Sequence, residues 1–207
     1  MIRFEPPQEP DGFDADVRNH GNYLLRLFFQ EHNRFPQGKE WKNRSFWTDY
    51  IEDLEDGFRG LCAYSGLRTN FDGEVDHFVP KSEDAQLAYE WSNYRYTTAR
   101  RNRKKNGYHG PVLDPFQVHD EWFEVIPESG QLRITEHLPA NLIDVAKETI
   151  RVLGLDDQRM RKNRRAIARN ALKPENYYNV ALLDDIRERA PMVARAVQVY
   201  WDQVSVL

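Results

Sequence analysis

The sequence predicts an α+β fold with an N-terminal helical segment, a central unit of short strands and a basic helix, and a C-terminal helical lobe. Three observations predict it. Apolar residues recur at helical spacing towards both ends. Short strand-like runs bounded by turn residues fill the middle. A polar block rich in Asp, His, Asn, Arg and Lys lies among them. The divisions fall at 1–58 for the helical segment, 59–110 for the central unit, and 111–207 for a hairpin with the helical lobe, packed as one unit.

Residues 1–20 read as an extended lead-in. Over 22–30, Tyr23, Leu24, Leu27 and Phe28 recur at helical spacing, and a turn follows at Phe35-Pro36-Gln37-Gly38. A second helix is predicted over 45–58, with Phe46, Trp47, Tyr50, Ile51, Leu54 and Phe58 on one face and Ser45 as its cap. Leu61-Cys62-Ala63-Tyr64 reads as a strand before the turn signal Ser65-Gly66. Phe71-Asp72-Gly73 marks another turn, and residues 74–78 a second strand stopped by Pro80. Residues 81–89 read as loop and 97–105 as a short basic helix ending at Asn106-Gly107. A hairpin is predicted from 122–126 and 131–134 around Pro127 to Gly130. Helices are expected over 142–153, 156–172 and from 179 onward, with a kink at Pro191.

Composition excludes several classes. With 207 residues, 40% hydrophobic and 13% aromatic, the chain can bury a substantial core and does not have the profile of a disordered one. No apolar run is long enough to span a bilayer, and the acidic, proline-containing start lacks a signal-peptide core, so a cytoplasmic location without membrane association is expected. Cys62 is the sole cysteine, which rules out an intrachain disulfide and a zinc site of several thiolates. The 29 basic and 33 acidic residues leave a net charge of −4. Phosphate contacts supply most nucleic-acid affinity, so any such grip has to be local or assisted by a partner.

The informative block is EVDHFVPKSEDAQLAYEWSNYRYTTARRNRKKNG, residues 74–107. A strand ending in Asp76-His77 is followed by a loop carrying Trp91-Ser92-Asn93 and a cationic helix bearing Asn102. A strand carboxylate and a helix side-chain oxygen can hold one divalent cation between them. Oxygen-only ligation suits Mg²⁺ or Mn²⁺. A neutral imidazole beside such an ion can take a proton from water. A lone histidine among 6 is more often structural. The ordered set Asp-His-x-x-Pro, Trp-x-Asn and Asn-x-x-Lys is far more specific.

This set resembles the HNH endonuclease family and its ββα-metal fold, in the variant with Asn at the third motif position. The resemblance implies Asp76 and Asn102 as metal ligands, one bound Mg²⁺ or Mn²⁺, His77 as general base, Asn93 as the brace of the loop that orients the histidine, and Lys105 as a helix lysine near the site or on phosphate. Many family members also carry two Cys-x-x-Cys pairs holding structural zinc. Here Cys62-Ala63-Tyr64-Ser65 and the Thr98–Arg101 region stand in their place, so no structural zinc is expected and packing by Tyr64, Phe78, Trp91 and Tyr94 has to hold the unit. Cys-Ala-Tyr before the motif, Leu113-Asp114-Pro115-Phe116 after it, and Ala146-Lys147-Glu148-Thr149-Ile150 with Leu153-Gly154-Leu155 are similar to the retron-associated and Septu-type HNH subunits of bacterial anti-phage systems. That resemblance implies an ABC-type ATPase partner.

Phosphate contacts are assigned to Lys81, Arg100, Arg101, Arg103, Lys104 and Lys105. A second cluster, Arg159, Arg161, Lys162, Arg164, Arg165 and Arg169, could face DNA, solvent or a partner. His20, His32, His109, His119 and His137 lack a partner motif, and Trp41, Trp47, Trp122 and Trp201 read as core or interface. The expected function is metal-dependent cleavage of DNA. Cleavage of RNA, a non-catalytic nucleic-acid-binding module and a partner-docking subunit remain as alternatives.

Overall fold

A computed structural model describes residues 1–69, 73–106, 108 and 110–204. It has mixed α and β structure with two small antiparallel sheets. A π-helical turn, Asp14–Asn19, runs into α1 (His20–His32), which ends at Asn33 in the left-handed conformation. Phe46–Tyr50 forms a 3₁₀ turn and Ile51–Gly57 forms α2. The helix expected from Ser45 is therefore split. Ser45 makes no side-chain cap bond and lies outside the extended conformation that capping uses.

The central sheet pairs β1 (Gly73–His77) with β2 (Tyr94–Thr98), with Asp76 opposite Arg95 and His77 opposite Tyr94. β2 corrects the sequence reading, which began the basic helix at Thr97. The aromatic and β-branched run Tyr94-Arg95-Tyr96-Thr97-Thr98 favours a pleated, buried surface, and α3 (Ala99–Lys105) starts only beyond it. The expected strand at 61–64 is a turn with one isolated bridge, Leu61 to Arg68. It docks on the far edge of β2, where Ala63 N donates to Tyr96 O at 2.8 Å, and Gly66 reverses the chain at φ 63°. The loop over 81–89 contains a 3₁₀ turn, Ala85–Tyr89, capped by Asp84. The expected turn at Phe71-Asp72, the helix stop at Gly107 and His109 lie outside the described residues.

The second hairpin is β3 (Phe123–Ile126) with β4 (Gln131–Ile134), as expected. Its turn residue Gly130 has φ 71°, and a Cβ there would meet Arg161 O at 2.0 Å, so a glycine lets the hairpin seat on the following helices. These are α4 (Ile143–Leu153), α5 (Gln158–Ala168, N-capped by Asp157), α6 (Val180–Arg189) and α7 (Pro191–Val204). The single helix expected from 179 with a kink at Pro191 is instead two, divided at Ala190 ahead of the proline. No described helix is long and apolar enough to cross a membrane.

One core runs from Met1 and Phe4 through Trp47, Tyr64, Trp91 and Tyr94 to Trp122 and Leu153, so the N-terminal segment is packed against the central unit. Trp91 Nε1 donates to Pro7 O at 2.9 Å. A second cluster, including Met160, Ile186, Val197 and Trp201, fills the helical lobe. Trp41, Trp47 and Trp122 are buried in the first core and Trp201 in the second. Cys62 is a fully buried free thiol.

Candidate active site

The outer edge of β1 faces α3, and a cleft of ≈ 800 Å³ opens beside it. His77, Lys81, Asn102 and Asn106 line this cleft, with Trp41 and the Phe35-to-Gly38 turn on its opposite wall. Alternation along β1 puts Val75 and His77 on one face and Glu74 and Asp76 on the other.

His77 is buried, with Trp47 and Tyr94 edge-on to its ring at centroid distances of 4.6 and 5.1 Å. Its Nε2 lies 2.9 Å from Ala88 O, which also accepts from Tyr94 Oη at 2.8 Å. A carbonyl can only accept, so Nε2 carries the hydrogen and Nδ1 keeps its lone pair. The Lys81 ammonium donates to that lone pair at 3.1 Å and lies over the Trp47 and Trp41 rings at 4.8 and 5.6 Å. Burial first, and the Lys81 charge second, push the imidazole down to about 3, while burial lowers Lys81 to about 8.

Asn93 ties the intervening loop together. Its Oδ1 accepts from Val79 N at 2.8 Å, and its Nδ2 donates to Val79 O and Leu87 O at 3.0 and 3.1 Å. Leu87 precedes the carbonyl that fixes His77, so Asn93 acts on the imidazole through the loop. The sequence reading missed this use of the Ala88 carbonyl, since no side-chain signal marks it.

Asp76 lies behind β1, 1% exposed. Tyr64 Oη donates to its Oδ2 at 2.5 Å, and Lys105 Nζ is 3.1 Å from both carboxylate oxygens. Lys105 also donates to His77 O at 2.6 Å. Burial raises the Asp76 carboxyl above its usual range, against the lowering pull of Lys105. Asn102 Nδ2 donates to Glu74 Oε2 at 2.9 Å and approaches Val75 O at 3.5 Å, so Asp76 and Asn102 do not bond to one another. Glu74 was not singled out in the sequence, although its position two residues before Asp76 on the same strand face was a usable signal.

The phosphate-contact assignments divide. Arg103 is exposed, and Arg100 and Lys104 share Asp157 Oδ2 at 2.9 and 3.4 Å. Arg101 and Lys105 point inward, 5% and 3% exposed, and as placed cannot reach a phosphate. Arg101 packs on Met160 Sδ. Its position on the inward side of α3 decides this, since the helix buries one face whatever its composition.

Among the described residues, no group of three His, Cys, Asp or Glu side chains could hold a metal ion. The oxygen donors near α3 and β1 are the Glu74 carboxylate, the Asn102 carboxamide oxygen and the buried Asp76 carboxylate, whose oxygens Tyr64 and Lys105 hold in this structure. That chemistry fits Mg²⁺ or Mn²⁺, which retain water ligands and accept phosphate oxygens. The fit requires Lys105 to give up the Asp76 carboxylate.

The arrangement has a pH consequence. A folded-state pKa depressed from 6.5 to about 3 means that His77 contributes stability above pH 6.5, and that this is lost as pH falls towards 3. The loss across that window is at most about 5 kcal/mol. Chemical denaturation at several pH values should show wild type losing stability through this window more steeply than His77→Gln. Parallel curves would mean that the imidazole is protonated in the folded protein without penalty.

A strand pair and a helix border a cleft lined by a tautomer-fixed imidazole, a lysine and an asparagine. No protein-family model matches the chain, and no curated protein matches it.

Proposed function

We propose that this chain is a divalent-metal-dependent HNH endonuclease that hydrolyses DNA phosphodiester bonds, as the nuclease subunit of a bacterial anti-phage defence system. The observation that carries the reading is the His77 arrangement. A backbone carbonyl fixes its tautomer, and the remaining nitrogen lone pair faces a cleft that also holds a lysine and an asparagine. The motif spacing from Asp76 to Lys105 supplies the family, and the ATPase partner rests on the softer resemblance outside that block.

His77 Nδ1 takes the proton of an attacking water, whose oxygen bonds to phosphorus as the P–O3′ bond breaks; the O3′ oxyanion takes a proton from solvent water, so the products carry 5′-phosphate and 3′-hydroxyl ends. Lys81 holds the incoming phosphate. In the structure its ammonium occupies the lone pair that the water proton needs, and an anionic phosphate draws it away. The same move removes the second cause of the low His77 pKa and makes the imidazole a better base. Asn93 keeps the loop carrying Ala88 in place. Asp76 and Asn102 would hold the divalent ion, which when bound would supply charge stabilisation to the phosphate oxygens.

The test is cleavage of plasmid DNA and of an RNA of similar length in Mg²⁺, Mn²⁺ or EDTA. Cleavage of DNA with either ion and none in EDTA is expected. Cleavage confined to RNA would move the substrate assignment. Inactivity on both, with and without a candidate ATPase, would leave the binding or docking readings in its place.

A further inference from the structure

The net charge of −4 hides a segregated surface. Around α3, at about 100° per residue, the order is Lys105, Asn102, Asn106, Arg103, Arg100, Lys104 and Arg101. Lys105 and Arg101, about 40° apart, form the one buried side of the helix. Asn102 and Asn106 line the cleft, and Arg103 and Arg100 are exposed beside them. Arg100 and Lys104 then meet Asp157, whose other oxygen caps α5 through Met160 N at 2.9 Å. The cationic surface therefore passes from the rim of the cleft round α3 and onto α5.

Helix α5, Gln-Arg-Met-Arg-Lys-Asn-Arg-Arg-Ala-Ile-Ala, contains no acidic residue. Met160, Arg164 and Ala168 face inward. Arg159, Arg161, Lys162, Arg165 and the following Arg169 are exposed and fall within an arc of roughly 160°. Arg161 pairs with Asp156. Among the described residues, Arg103, Arg159, Lys162, Arg165 and Arg169 have no ion pair. Like charges three and four positions apart destabilise a helix; among the described residues Asp156, paired with Arg161, and the Asp157 cap offset this only at the start of α5. Arg159 to Arg169 spans roughly 15 Å, about four phosphate steps of one DNA strand.

We propose that the outer face of α5, joined to the cleft through Arg103, Arg100 and Lys104, is a track for the sugar–phosphate backbone of DNA leading away from the scissile phosphate. The choice of DNA as the polyanion rests on the proposed function. The continuity of the strip with the cleft favours it, since an acidic protein or a membrane on α5 would leave that continuity unused.

The test measures binding, so it stands apart from cleavage. Anisotropy of a labelled duplex of about 30 base pairs is followed in EDTA from about 50 to about 300 mM salt, for wild type and Arg159→Gln/Lys162→Gln/Arg165→Gln/Arg169→Gln. Wild type should bind weakly and lose affinity steeply with salt. The variant should bind at least about tenfold more weakly at the lowest salt, with a log–log slope shallower by about 3–4. Arg165→Glu alone, a single exposed change that bypasses any folding defect of the quadruple variant, should shift both quantities in the same direction. Equal affinity and slope in wild type and variants would overturn the track. So would absence of wild-type binding at about 50 mM salt, which would give α5 to an acidic protein or a membrane. Hydrolysis of bis(p-nitrophenyl) phosphate, which fills the cleft alone, should be unchanged in the variants. A loss there equal to the loss of DNA binding would place these residues in the cleft instead. Failure of that hydrolysis in wild type would count against the nuclease reading and leave the binding result to decide the track.

Discussion

His77→Ala should lower metal-dependent DNA cleavage by at least ~10²–10⁴-fold, the range for loss of a positioned general base. The effect should fall on the chemical step, with DNA binding in EDTA close to wild type, because the exposed cations of α3 and α5 lie apart from the imidazole. Single-turnover cleavage in Mn²⁺ alongside anisotropy separates the two. Removing the ring also vacates a place between Trp47 and Tyr94, so thermal unfolding has to be measured on the same preparation. His77→Gln, larger than Ala and still polar, should be as inactive while filling more of that space. Either variant cleaving within threefold of wild type, or an activity loss matched by equal loss of DNA binding, would remove His77 from the role of base.

Lys105→Met should produce the largest loss of stability among the site residues. The substitution leaves the Asp76 carboxylate 1% exposed with Tyr64 as its remaining side-chain partner. Breaking one side of a buried ion pair costs ~3–5 kcal/mol, at roughly 2–4 °C of melting temperature per kcal/mol for a chain of this size. The sign with pH is determined by Asp76. Burial raises its folded-state pKa, so its contribution is present at low pH and lost as pH rises through that value. The deficit of the variant should therefore be largest at neutral pH in EDTA and shrink on acidification. The proposed ion also makes a claim here. Mg²⁺ or Mn²⁺ should raise the melting temperature of the variant more than that of wild type, because the ion no longer competes with an ammonium for Asp76. A variant as stable as wild type in EDTA would show that the ion pair contributes little. A destabilised variant indifferent to both ions would keep the pair and count against Asp76 as a ligand.

Much of the secondary structure was legible because local rules determine it. The β3–β4 hairpin followed from two β-rich runs around Pro127 to Gly130, and the C-terminal helices from apolar spacing, although Pro191 divides the last of them where a kink was expected. The failures share a cause. The chain from Leu61 to Tyr64 has strand composition, yet Gly66 turns it back and β2 uses it for one edge bond. Thr97 and Thr98 read as the start of the basic helix, although they belong to the aromatic and β-branched run from Tyr94 that pairs with β1 across a separation of about twenty residues in the chain. Pairing over that distance is invisible to a local window.

The candidate site divides in the same way. By itself the sequence marked the candidate residues: Asp76, His77, Asn93 and Asn102 stand out by type and spacing, and alternation on β1 places Glu74 on the face of Asp76. The tertiary structure alone decided which atoms of those residues are free. The Ala88 backbone carbonyl sets the His77 tautomer, the inward flank of α3 commits Lys105 to Asp76 and Arg101 to Met160, and Asp157 at the cap of α5 pairs with Arg100 and Lys104. Residue type limits the bonds a side chain can make, but burial and the groups delivered by distant segments select among them, because a buried polar atom has to find its partner in the protein.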